Sequence, residues 1–255
     1  MTRFLFVSDL DNTLVGDDRA LEQLNRRLGD SASAHGSKIV YITGRSLALY
    51  RQLAAEKKLL APDALVTAVG TEIYYATSDG VPDPAWSERL PQGWDREQVV
   101  AVGCRFADLV PQPDMEQAPF KVSYFLTGDA APQVLPSLNA MLQERALATQ
   151  LIYSNDKDLD ILPERGNKGL AMQFLRDRWG FDATQTVACG DSGNDIALFG
   201  AGDERGIIVG NARPELLQWY ETNSSDCLYL ARSHYAEGIL EGLHHFGFLG
   251  TNDGP

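Results

Sequence analysis

Asp9 and Asp11 lie one residue apart, directly behind the apolar run 4–7. In extended backbone, residues i and i+2 project to the same side, so the two carboxylates can converge. At that range they repel unless a cation or a proton sits between them. Taken alone, the pair also suits an Asp-rich turn or a helix cap. Three further segments carry complementary chemistry. Thr43-Gly44-Arg45-Ser46 offers a hydroxyl and free backbone amides that can bind phosphate oxygens, although by itself it is a common loop. Lys168, in Asn167-Lys168-Gly169, has a compact ammonium that can pair with a phosphate, although a lone lysine is usually solvated. Gly190-Asp191-Ser192-Gly193-Asn194-Asp195 adds two carboxylates and an amide in a glycine-loosened loop, where Asp191 and Asp195 also suit a helix cap. Together these residue types are the equipment of metal-assisted phosphoryl chemistry.

These segments follow elements able to hold them. Residues 4–8, 39–42, 65–69, 186–189 and 207–209 are short, nearly continuous apolar runs, as expected of parallel strands covered on both faces. Amphipathic stretches lie between them. Leu21, Leu24 and Leu28 have helical spacing and predict a helix ending at Gly29, and Leu170, Phe174 and Leu175 predict another ending near Gly180. Alternating strand and helix predicts an α/β fold with a doubly wound parallel, Rossmann-like sheet. All the chemical segments except Lys168 then fall at the carboxyl ends of strands, where such sheets bind ligands.

The middle of the chain breaks the rhythm. Residues 78–91 are polar and rich in Pro and Gly. A helical stripe of Val99, Val102, Phe106 and Leu109 follows Asp95 as N-cap, then a strand at 120–126 and a helix at 132–144. Strands at 151–154 and 158–162 flank the turn Asn155-Asp156-Lys157. This predicts an inserted α+β cap domain at 80–161 between the two parts of a core made of 1–79 and 162–255.

The run DLDNT, the segment YITGRS, the tripeptide NKG and the run GDSGND resemble, in this order, the four motifs of the haloacid dehalogenase superfamily of phosphotransferases. The insert resembles that superfamily's large α/β cap class. Longer strings (SDLDNTLVGD, TAVGTEIYY, FKVSYFL, KDLDILPERGNKG, ACGDSGNDIALF, VGNARPELLQWY) are similar to the sucrose-phosphate phosphatases, with an ending expected to lack the extra C-terminal domain of plant members. The resemblance implies that Asp9 is a nucleophile forming an aspartyl-phosphate and that Asp11 is the general acid/base. It implies a Mg²⁺ ion held by Asp9, Asp191 and the backbone carbonyl of Asp11, with Asp195 supporting it. It also implies that Thr43 and Lys168 bind phosphate oxygens and that Asn194 orients Asp9 or the phosphate. The substrate implied is sucrose 6-phosphate, with a sucrose-phosphate synthase as a candidate partner.

Sugar contacts are expected from the insert. Lys121 and Ser123 lie opposite the more apolar face formed by residues 120, 122, 124 and 126, and Asn155 and Asp158 lie at and beside the hairpin turn. Glu72, behind the third strand, and Gly44 and Arg45 complete the candidate set; Arg45 either contacts ligand or braces its loop. The 255 residues suffice for one core plus a modest second lobe. The net charge of −13 disfavours nucleic acid and anionic membranes as partners, and obliges an anionic substrate to find local cations or amides. Three cysteines are too few for a disulfide framework and point to a cytoplasmic protein, and no apolar run approaches the ~20 residues of a membrane span. Other readings of the same motifs are a phosphatase for trehalose phosphate or mannosyl-glycerate phosphate, a sugar phosphomutase, and a non-catalytic phospho-acceptor module.

Overall fold

The computed structural model describes residues 2–250. Its first strand, β1 (Leu5–Ser8), is buried throughout. Leu5 and Val7 face one hydrophobic layer and Phe6, with the adjoining Phe4, faces the other, which is why the run has no polar alternation. Helix α1 (Asp18–His35) follows and leads into β2 (Lys38–Ile42), α2 (Leu47–Glu56), β3 (Ala64–Thr67) and β4 (Glu72–Tyr75). The expected stop at Gly29 does not occur. Helix α1 continues to a left-handed Gly36 at φ 74°, because Ser31 and Ala32 extend its inward face and Gly29 has room around it.

Residues 84–163 hold the short helix α3 (Pro84–Ser87), then α4 (Arg96–Gly103), β5 (Val110–Pro111), β6 (Val122–Phe125), α5 (Ala131–Glu144), β7 (Thr149–Ser154) and β8 (Asp158–Pro163). The chain then returns with α6 (Lys168–Trp179), β9 (Thr186–Gly190), α7 (Ile196–Phe199), β10 (Arg205–Ile208), α8 (Pro214–Asn223), β11 (Leu228–Leu230) and α9 (Tyr235–His245).

Two sheets result. The larger has seven strands in the order β11-β10-β9-β1-β2-β3-β4, parallel except for β4. Helices α1, α2 and α9 cover one face, and α3, α6, α7 and α8 cover the other. Strand order reverses at β1: one half of the sheet grows outward through β2, and the other is built later through β9. A crevice therefore opens at the carboxyl ends of β1 and β9.

The smaller sheet is antiparallel in the order β5-β6-β8-β7. Val122, Tyr124, Leu159 and Ile161 turn one face onto Val99, Leu138 and Leu142 of α4 and α5. The two-residue period then sends Ser123, Asp158 and Asp160 to the opposite face, toward the crevice. Helix α4 ends at Gly103, earlier than its apolar stripe predicts, and Phe106 and Leu109 reach the same core from turns. Trp86 and Leu90 pack on the larger sheet although they lie within the range expected to be insert. Among the described residues, no helix is long and apolar enough to cross a membrane.

Candidate active site

Asp9 continues the β1 ladder by one step, its amide donating to the Cys189 carbonyl of β9 at 3.0 Å. The chain then turns tightly. Leu10 O accepts from the amides of Leu14 and Val15 at 3.0 and 2.8 Å, and Asn12 takes a left-handed φ of 59°, which Asn tolerates better than most residues. The turn leaves Asp9 buried and Asp11 half-exposed, both on the wall of the crevice.

Behind Asp9 lies Lys168, the first residue of α6, in a helix start capped by Asn167. Far from being solvated, its side chain is fully buried and its ammonium donates to Asp9 Oδ1 and Asp195 Oδ1, each at 2.7 Å. Asp195 Oδ2 accepts from the amides of Asp191 and Ser192 at 2.9 and 3.1 Å, which holds the β9–α7 loop in shape. Asp191 Oδ1 accepts from the Thr13 hydroxyl at 2.8 Å, while Asp191 Oδ2 is buried without a partner. Asn194 Oδ1, in the same loop, is likewise buried and unpartnered.

Asp9, Asp191 and Asp195 each bring an oxygen within 4.8 Å of the others. Three ionised carboxylates against one ammonium leave an excess of two negative charges in this buried cluster. Burial pushes the Asp191 carboxyl up to about 7, reinforced by Asp195 and opposed by Thr13, Lys168 and Arg213. Burial also raises Asp9 well above the ordinary aspartate range; Lys168 opposes this, and Asp195 and Asp191 add to it. The excess charge, the all-oxygen donor set and the orphaned Asp191 oxygen together fit a hard divalent cation.

Arg45 meets Asp11 through two bonds, Nε to Oδ2 and Nη2 to Oδ1, both 2.7 Å. Thr43 is buried, and its hydroxyl accepts from the Arg45 amide at 3.2 Å. Lys121 reaches across from the smaller sheet, donating to Gly44 O at 3.2 Å and lying 3.5 Å from Asp160.

A cavity of about 280 Å³ separates the two sheets. Asp9, Asp11, Gly44, Arg45, Asp191 and Asn194 of the candidate set line its floor, and Lys121, Asn155 and Asp158 its roof. Thr43, Lys168 and Asp195 stand behind the floor. Ser123 stands behind the roof, donating to Asp160 Oδ1. Glu72 does not reach the cavity, a correction to the expected set: β4 folds back antiparallel on β3, and Glu72 Oε2 accepts from Thr67 and Tyr74 within that edge hairpin at 2.8 and 2.9 Å.

Sequence reasoning missed Gln112 and Glu116, which enter the roof from the irregular segment between β5 and β6. Gln112 donates to Asp158 Oδ1 at 3.0 Å, and burial raises the Glu116 and Asp158 carboxyls. That segment has no periodicity to mark it. Asp160 also lines the roof, on the face that strand alternation gives it with Asp158.

This seven-stranded sheet with an acidic crevice at its reversal point and an inserted sheet above defines a haloacid dehalogenase-like α/β protein. A phosphatase of that superfamily from Bacteroides thetaiotaomicron shares the fold, with a TM-score of 0.71 over 97% of this chain and 96% of its own at 17% identity. Residues 2–247 match the family model of sucrose-6F-phosphate phosphohydrolase, and the chain belongs to that family. It is 40% identical to sucrose-phosphatase 1 of Nicotiana tabacum over 99% of this chain and 61% of the tobacco protein. The chain thus spans about three-fifths of the curated plant relatives' length. The solved sucrose-phosphatase of Synechocystis, in complex with sucrose and phosphate, matches with a TM-score of 0.91 and 43% identity, over 97% of this chain and 99% of its own.

Proposed function

We propose that this protein is a Mg²⁺-dependent phosphoric monoester hydrolase that converts sucrose 6-phosphate to sucrose and phosphate. The observation that carries the reading is the buried acidic group around the orphaned Asp191 oxygen, opening onto a cavity roofed by hydroxyl-binding side chains. Family membership and the likeness to the Synechocystis enzyme support the choice of sugar.

Asp9 and Asp191 would hold Mg²⁺ with the Asp11 carbonyl, and Asp195 would support them; when bound, the ion neutralises the phosphate's charge. Lys168 fixes Asp9 through Oδ1, so the other oxygen is the one that attacks phosphorus. The phosphorus–sugar oxygen bond breaks as the aspartyl-phosphate forms, and Asp11 gives a proton to the departing oxygen. Asp11 next takes a proton from water, whose oxygen releases phosphate and regenerates Asp9. Arg45 holds both Asp11 oxygens, so this ion pair opens for Asp11 to carry and give its proton. Thr43 and Lys168 serve the phosphate, and Asn194 orients it.

The segment 80–161 acts as a cap that excludes water and reads the sugar through Lys121, Asn155, Asp158 and neighbouring roof residues, with Gly44 and Arg45 below. Free thiols at Cys104, Cys189 and Cys227 support a cytoplasmic setting. A sucrose-phosphate synthase is the partner to test, by co-purification.

The decisive experiment is a set of initial rates with Mg²⁺ on sucrose 6-phosphate, glucose 6-phosphate and trehalose 6-phosphate. The expected result is a kcat/KM at least about tenfold higher for sucrose 6-phosphate, the scale of one well-placed hydrogen bond. Preference for another sugar phosphate overturns the substrate. Chelation with EDTA should abolish turnover and added Mg²⁺ restore it.

A further inference from the structure

Glu215 is the second residue of α8 and lies in the string VGNARPELLQWY, outside the four phosphotransferase motifs. Its Oε1 accepts two backbone N–H groups, one from the cap and one from the core. One is Asn155 N, at the β7–β8 turn of the cap, at 2.9 Å; the other is Gly193 N, in the acidic β9–α7 loop, at 3.3 Å. The start of α8 is tied to the same loop by the Arg213 amide, which donates to Asp191 O at 2.7 Å. Cap and loop also meet closely here: a Cβ on Gly193 would lie 2.6 Å from Tyr153 O, so only glycine permits the approach. Asn155 lines the roof of the cavity, while Asp191 and Asn194 line its floor.

We propose that Glu215 is a positioning residue, its carboxylate latching the cap's Asn155 turn onto the loop that carries Asp191 and Asn194. The inference rests on the phosphatase reading above. One acceptor oxygen shared by the two amides is satisfied in full only when the cap lies against the core, so the latch favours the roofed cavity. On the far side, Lys121 donating to Gly44 O makes the other cap–core bond of this kind at the cavity wall. A sugar held between Asn155 and the floor then binds a cap already in place, whereas a bare phosphate touches the floor alone. Losing the latch lowers the fraction of roofed molecules and weakens sugar phosphate by that fraction.

The test compares the full-length wild type with Glu215→Ala and Glu215→Gln, all with Mg²⁺. Glu215→Ala should raise KM for sucrose 6-phosphate about tenfold, the effect of losing a hydrogen bond to a charged group, with a far smaller change in kcat. Inhibition by inorganic phosphate should stay within about twofold of wild type on the same scale. Glu215→Gln keeps an acceptor oxygen and should recover most of the loss. Small-angle X-ray scattering should show ligand-free Glu215→Ala as more extended than wild type. KM within twofold of wild type, phosphate inhibition weakened in parallel with KM, or superimposable scattering curves would each overturn the latch. If the wild type ignores sucrose 6-phosphate, the substrate reading fails, and the scattering comparison still decides the latch.

Discussion

Asp191 carries the site's clearest energetic signature. A carboxyl held near 7 in the fold and near about 4 in the unfolded chain binds its extra proton in the native state. In metal-free protein this aspartate therefore destabilises the fold above about pH 7, and the penalty lifts as pH falls toward 4. Asp191→Asn should raise the Tm of EDTA-treated protein by a few degrees at pH 8 and by much less at pH 5, as read by circular dichroism. An equal gain at both pH values would show that the carboxyl's charge is not the cause. Asp11→Asn should slow turnover by about 10²–10⁴-fold, the usual range for a lost general acid/base, as measured by phosphate release at saturating substrate. At this scale Asp9, Asp11, Asp191 and Asp195 were legible from residue type and spacing. The burial of Lys168 was not, because nothing in NKG shows that the helix it opens abuts both Asp9 and Asp195.

Among the elements, α6 does the most to assemble the floor. Gly169 lets α6 approach α7 so closely that a Cβ would stand 2.0 Å from Ala197 O. This contact presses Lys168 toward the acidic loop that precedes α7. Gly169→Ala should cost about 1–3 kcal/mol in urea unfolding through overpacking, and should lower activity by displacing Lys168. An unchanged unfolding midpoint would mean that the helices separate freely. Strand positions were readable here because buried parallel strands are continuously apolar. Helix ends were less so: Gly29 looks like a stop, but the left-handed turn falls at Gly36, where the inward face runs out. The hairpin from β3 to β4 was also hidden, since no local signal showed that Glu72 would spend its carboxylate on Thr67 and Tyr74.

For the molecule as a whole, the charge of −13 opposes the approach of any phosphate ester. The fold answers locally, with Lys121, Arg45 and Lys168 at or beneath the cavity wall. At saturating Mg²⁺, kcat/KM for the dianionic substrate should rise a few-fold as NaCl goes from near zero to about 0.15 M, where repulsion beyond about 8 Å is screened. A steady fall over that range would mean that the local cations dominate the approach.

The amino-acid sequence by itself determined the acidic floor, the strands that carry it and the presence of an inserted α+β unit. Each of these rests on local spacing and periodicity, which are properties of neighbours in the chain. Only the tertiary structure decided which polar side chains share a wall. Gln112, Glu116, Lys121 and Asp158 meet Arg45 and Asp191 across a cavity because two sheets built from distant segments face one another. Packing of the apolar faces onto their helices fixes that arrangement, and the polar faces are left to meet.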